Sequence, residues 1–146
     1  MPRTEPPPIG KSGLEGLSLF RWQLRRFLRF SEDAARQTGI TILQYQLMLH
    51  TQGFPDRDWA TITELAERLQ AQHHGVAALV TRCEEAGLVR RHHSKEDRRN
   101  VEVHLLAKGR RMLEALAAQH HEQLHDMTEV LRLLGDHDAG GKDRTG

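Results

Sequence analysis

Residues 64–91 read ELAERLQAQHHGVAALVTRCEEAGLVRR, and residues 95–116 read KEDRRNVEVHLLAKGRRMLEAL. The first stretch holds two amphipathic helices separated by a tight turn. Leu65, Ala66 and Leu69 share one face of the first helix, which Thr61 and Glu64 open as a capping box. After Gln70-Ala71-Gln72 the spacing predicts a second helix from about His73 to Ala86, with Val76, Leu79, Val80 and Cys83 inward. Gly87 stops it, at the position past a helix end where glycine tolerates a left-handed backbone. Leu88 to Arg91 and Asn100 to Leu106 then read as two short strands. In the second, Val101, Val103 and Leu105 point one way and Asn100, Glu102 and His104 the other. The polar tip between the strands carries His92, His93, Lys95, Arg98 and Arg99.

On the N-terminal side, residues 1–13 hold four of the five prolines, and residues 1–16 are expected as a disordered arm. From Leu17, apolar or small residues recur in a stripe at Leu17, Phe20, Leu24, Phe27, Leu28, Ser31 and Ala35, interleaved with Arg21, Arg25, Arg26 and Arg29. That stripe predicts a helix over about 17–38, ended by Gly39. Thr41 and Gln44 form another capping box, opening a helix through His50 with Leu43, Leu47 and Met48. Gly53-Phe54-Pro55-Asp56 breaks it into a loop reaching about Ala60. On the C-terminal side, about 107–134 reads as one long helix or two. Its stripe is Leu113, Leu116, Ala117, His120, Leu124, Met127, Leu131 and Leu134, and 135–146 is expected as a disordered tail. No internal repeat is present.

Composition narrows the function classes. At 146 residues, 28% charged and 38% apolar, the chain suits one domain with helical extensions. No apolar run approaches the roughly 18 residues of a membrane span, and the N-terminus lacks the apolar segment of a secretory signal. A single cysteine makes no internal disulfide, and a cytoplasmic location is expected. The formal net charge of +1 conceals an asymmetry. Residues 90–111 carry eight Lys/Arg against three acids, a net of +5, whereas 112–146 carry three against seven, a net of −4. Such a distribution suits a segment that meets a polyanion, or a solvated surface with clustered charge.

Two helices, a tight turn and a basic hairpin together form a winged helix-turn-helix, whose second helix fits the ~12 Å major groove while the hairpin follows the backbone or the minor groove. The ordered series Leu65, Ala66, Leu69, Glu84, Gly87, Leu88, Val89, Asp97, Arg99, Leu105 and Gly109 resembles the MarR family of transcriptional regulators. The resemblance spans residues 17–134. It implies a mainly α fold, with a winged helix-turn-helix over about 41–106 between long N- and C-terminal dimerisation helices. It also implies a cytoplasmic homodimer that binds a pseudo-palindromic site on duplex DNA, as a ligand-responsive repressor of transcription. Two terminal helices with apolar stripes are more than so small a module can cover, which agrees with a second copy. The candidate DNA-binding residues are Gln72, His73, His74, Gly75, Ala77, Ala78 and Arg82 in the second helix, and Arg91, Lys95, Asp97, Arg98 and Arg99 in the wing. Gly75, Ala77 and Ala78 stand where relatives often carry Ser, Thr or Arg. Alanine offers a base edge no hydrogen bond, so the wing and DNA shape are expected to carry more of the specificity. Leu106 stands where the family has a helix-capping threonine.

Cys83 falls where the helix stripe demands a core residue and reads as packing rather than as a redox sensor. His121-Glu122-Gln123-Leu124-His125 spells H-E-x-x-H, the zincin signature. Only 21 residues follow it and no sheet is available for a substrate cleft, so a zinc hydrolase is the remote alternative. A zinc-responsive regulator using His121 and His125 is the nearer one. A small aromatic effector, which the resemblance implies, would meet Trp22, Tyr45 and Met48. Protonation of His73, His74, His92 or His93 would add positive charge to the DNA-facing segments in mildly acidic solution. There is no glycine-rich phosphate loop, no nucleophile beside a base and no paired carboxylates in a cleft, so neither enzymatic activity nor a cofactor is expected.

Overall fold

Two threonines set the register of the central module. In the computed structural model, which describes residues 3–97 and 99–140 (side chains of 136–140 excepted), Thr41 and Thr61 each sit in extended conformation ahead of a helix. The Thr41 hydroxyl accepts the Gln44 N–H at 3.1 Å while Gln44 Oε1 accepts the Thr41 N–H at 3.0 Å. Thr61 and Glu64 repeat the exchange at 3.2 and 3.0 Å. Both boxes satisfy N–H groups that a helix start leaves unpaired.

The elements in chain order are α1 (Lys11–Thr38), α2 (Ile42–Gln52), β1 (Trp59–Thr61), α3 (Ile62–Leu69), α4 (His73–Glu85), β2 (Val89–His93), β3 (Val101–Leu105) and α5 (Ala107–Gly140). The strands form an antiparallel sheet in the order β1-β3-β2. Val89 pairs with Leu105, Arg91 with Val103 and His93 with Val101, and β1 adds Trp59 opposite His104. β1 replaces the end of the expected loop to Ala60. Three residues are too few to display an alternation, and the strand exists because β3 offers it a hydrogen-bonding edge.

Two compact units result. Residues 31–119 form the first, with a core of Leu47, Met48, Leu65, Val76, Val80, Cys83, Leu88, Val89, Val103 and Leu116, each at most 1% exposed. α3 and α4 pack on each other, α4 packs on β2, and α2 packs on α3, β1 and β3. The inward face expected of α4 is buried, and of the residues expected inward on β3, Val103 and Leu105 are buried and Val101 is half-buried. Gly87 adopts φ +73° just past α4, as its place at the helix end requires. Lys108 closes the same helix end, its Nζ donating to the Ala86 carbonyl at 2.9 Å.

The described parts of 1–30 and 120–146 form the second unit. Here the structure corrects several expectations. α1 begins at Lys11, inside the segment expected as an arm, where Lys11 and Glu15 pair across one turn and Leu14 extends the apolar run. α5 is a single helix that runs to Gly140, past the expected end at Leu134. Its covered line in this unit is His120, Gln123, Met127, Val130 and Leu134, whereas Leu124 and Leu131, expected on the inward stripe, are 51% exposed. Leu17 and Leu28 of α1 are likewise exposed, as are Leu14, Trp22 and Leu133. The apolar surface of these helices is wider than the face one neighbour covers. His120 is buried, with the rings of Phe27 and Phe30 edge-on to it at 5.8 and 5.3 Å. Among the described residues no helix is long and apolar enough to cross a membrane.

Candidate nucleic-acid interface

α4 presents its first turn to solvent. Gln72 precedes it in extended conformation and makes no side-chain capping bond, and His73, His74 and Gly75 are exposed. Further along, Ala78, Thr81 and Arg82 are exposed and Ala77 is half-buried. The residues at 76, 79, 80 and 83 anchor the opposite face, so burial alone decides which side chains look outward. The helix is thus held by its apolar side and free along its N-terminal outer side. That side offers unpaired backbone N–H groups and imidazoles to an anion.

The wing tip is ordered by its own backbone. The Ser94 N–H donates to the Asn100 carbonyl at 3.3 Å, and the Asn100 N–H to the Asp97 carbonyl at 3.0 Å. Asp97 Oδ1 accepts the Arg99 N–H at 3.0 Å, so this carboxylate folds the tip by a local side-chain turn. Lys95, Asp97 and Arg99 are exposed, as are His92 and His93 at the end of β2. Arg98 lies outside the described residues. Arg91 differs from its neighbours: its guanidinium pairs with Glu84 and donates to Ala77 and Thr81 of α4.

A cluster that sequence reasoning missed braces the sheet from the other end. The Arg57 guanidinium lies 4.1 Å from the ring centres of both Phe54 and Trp59 and pairs with Glu64. The Trp59 ring stacks on His104 at 5.9 Å, and His104 Nε2 lies 3.1 Å from Glu102 Oε1. Such cation–π and stacking contacts join residues from a loop, two strands and a helix, and no periodicity announces them. Burial pushes the Glu64 carboxyl up, but hydrogen bonds from Thr61 and the Arg57 charge outweigh it and hold the group below its ordinary value. Burial lowers the His50 pKa, with Arg68 adding to the effect, and burial raises that of Tyr45.

Tyr45 and Met48 lie in the core of residues 31–119, and Trp22 is an exposed residue of α1, its ring 5.3 Å from the Arg26 guanidinium. Cys83 is fully buried, and burial pushes its thiol up to about 11 against a small opposing effect of Arg82. His121, Glu122 and His125 are exposed on α5. Among the described residues no group of three or more His, Cys, Asp or Glu side chains is arranged to hold a metal ion.

The MarR family model matches residues 38–100, from the end of α1 to the wing tip. YfiV, an uncharacterised HTH-type transcriptional regulator of Bacillus subtilis, is 33% identical over 70 residues, which cover 48% of this chain and 44% of that protein. The chain thus matches less than half the length of this curated relative. AbsC, a MarR family transcriptional regulator from Streptomyces coelicolor, has the same fold, with a TM-score of 0.70 over 94% of both chains at 19% identity. The apo form of MarR from E. coli superposes with a TM-score of 0.65 over 86% of both chains at 19% identity. MepR of S. aureus, solved as a DNA complex, gives 0.64 over 84% of this chain and 85% of its own at 20% identity. The chain thus shares the fold of these regulators, and its residues 38–100, which hold the helix-turn-helix and the wing, match the MarR family model.

Proposed function

We propose that the protein binds duplex DNA as a homodimer and regulates transcription, as a repressor released by a small effector. One observation carries the DNA reading: the exposed first turn of α4 and the cationic wing tip belong to one sheet-and-helix module. The His73, His74 and Gln72 side chains enter the major groove, while Lys95, Arg98 and Arg99 meet the backbone or the adjacent minor groove. Ala77 and Ala78 pack on thymine methyls at most, so much of the specificity falls to the wing and to DNA shape. The homodimer reading is supported by the exposed Leu14, Leu17, Trp22, Leu28, Leu124, Leu131 and Leu133 of the second unit, an apolar surface of the kind that a partner covers. It is supported further by an apolar groove of ≈ 710 Å³ there, lined by Ile9, Leu17, Phe20, Leu131 and Leu134 among others. The effector reading rests on the family resemblance, since Tyr45 and Met48 are buried in the core of residues 31–119 and Trp22 is exposed on α1. No particular observation favours a zinc-responsive or hydrolytic role for His121 and His125.

The test is a DNA titration across salt, on the protein's own upstream DNA and on random DNA, with wild type beside Arg98→Ala/Arg99→Ala. Tight wild-type binding to one upstream site is expected. Losing two phosphate contacts should make the slope of log K against log salt shallower by about 1.8. Equal, weak binding of both proteins to both DNAs would overturn the reading.

A further inference from the structure

Arg91 belongs to the basic wing by sequence, yet its guanidinium is already committed within the protein. One terminal nitrogen donates to the Ala77 carbonyl at 2.7 Å and to the Thr81 hydroxyl at 3.0 Å, and the other pairs with Glu84. The Arg91 backbone N–H adds a bond to Glu84 Oε2 at 3.2 Å. Ala77, Thr81 and Glu84 follow one another along one face of α4, so a single side chain grips the helix over two turns. The Thr81 hydroxyl donates to the Ala77 carbonyl at 3.1 Å, which leaves its lone pairs for Arg91. The Arg91 and Glu84 side chains are only 26% and 33% exposed, so reaching for a phosphate would break these bonds and strand a half-buried carboxylate.

The sheet order explains why such a grip is needed. β2 is an edge strand, laddered to β3 on one side alone, and its far end carries the wing tip. Nothing in the ladder fixes the angle between that tip and α4. Arg91 supplies the link, whereas the Lys95 and Arg99 side chains stay exposed beyond it.

We infer that Arg91 is a positioning residue that seats the wing on α4 through Glu84, Thr81 and the Ala77 carbonyl, and that it is not a phosphate contact. Its consequence for binding rests on the DNA reading above, while the seating itself does not. With wing and helix held as one body, the tip and the first turn of α4 meet DNA without first being ordered.

The seating is tested on the free protein by amide hydrogen exchange of β2 and β3 in wild type, Arg91→Ala, Arg91→Lys and Arg90→Ala. Exchange should rise about tenfold in Arg91→Ala, the loss of charged hydrogen bonds. It should rise in Arg91→Lys too, since an ammonium lacks the planar fork. Arg90→Ala should match wild type. Unchanged exchange in Arg91→Ala would overturn the inference. DNA titrations then separate the two roles. A seating residue predicts weaker binding with an unaltered salt slope in Arg91→Ala, and weaker binding in Glu84→Gln. A phosphate contact predicts a slope shallower by about 0.9 and tighter binding in Glu84→Gln, because an acid near the polyanion is removed. Either of those results would also overturn the inference. Absence of wild-type DNA binding would refute the proposed function, and the exchange data would still decide the role of Arg91.

Discussion

Gly109, in the first turn of α5, lies directly against the carbonyl of Leu88, the group that accepts the Leu106 N–H at 2.9 Å. A Cβ at position 109 would overlap the Leu88 oxygen and stand 3.0 Å from its carbonyl carbon. The start of the last helix is thereby clamped to the residue that opens the wing, and only a glycine permits the approach.

This contact predicts a reversal of the usual helix rule. Gly109→Ala should destabilise residues 31–119 by about 1–3 kcal/mol, because backbone must move to admit the methyl. Gly75→Ala, in the exposed first turn of α4 with nothing near its Cβ, should instead stabilise by about 0.5 kcal/mol. Urea denaturation of both variants checks the pair, and equal midpoints would show that the Leu88 contact yields freely.

Glu64 should make stability depend on pH in the acid range. Its folded carboxyl is held below the ordinary 4.5, so its contribution is present above that value and is lost as the pH falls through the lowered one. Glu64→Ala should cost about 1–2 kcal/mol at neutral pH, since it leaves the Thr61 N–H and the Arg57 guanidinium without their acceptor. Urea titrations of wild type and variant at pH 7 and pH 3 should show the gap narrowing in acid.

Cys83 should be silent to thiol reagents in the folded protein. Its thiol is fully buried and pushed up to about 11, so little thiolate forms at pH 8. Labelling by an aromatic disulfide reagent should be slow in buffer and rapid in urea. The same shift predicts stability falling as pH rises from the ordinary 9.0 toward 11, where the unfolded chain ionises and the folded one does not. Rapid stoichiometric labelling of native protein would refute this account.

Leu124 and Leu131 carry the dimer prediction. They lie two turns apart on α5, both 51% exposed. Leu124→Glu/Leu131→Glu should leave the helical circular dichroism signal unchanged and convert a dimer to a monomer in sedimentation equilibrium. An unaltered mass would place any interface elsewhere.

Much of the central module was legible because burial writes itself into spacing. Val76, Leu79, Val80 and Cys83 could fill one side of a helix in only one register, and that register also left His73, His74 and Ala78 outside. Thr41 and Thr61 were readable for a local reason: a capping box closes within four residues. β1 was not readable, because Trp59–Thr61 is a strand only by virtue of β3 beside it. Leu124 and Leu131 were misplaced for a related reason: an apolar stripe shows that a face wants cover, not which neighbour supplies it.

By itself the sequence determined the central helices α2 to α4, the capping boxes of α2 and α3, the alternation of β3, the glycine stop after α4 and the family resemblance. Each depends on residues a few positions apart, within reach of one helical turn or one strand pair. The tertiary structure alone decided which cations of the basic stretch remain exposed. Arg91 and Arg99 look alike along the chain, yet one is held by a carboxylate, a hydroxyl and a carbonyl of α4 and the other is exposed at the tip. That difference comes from the packing of β2 on α4, which brings together residues seven to fourteen positions apart. No periodicity encodes a contact between separate elements; it follows from the shape of the core they share.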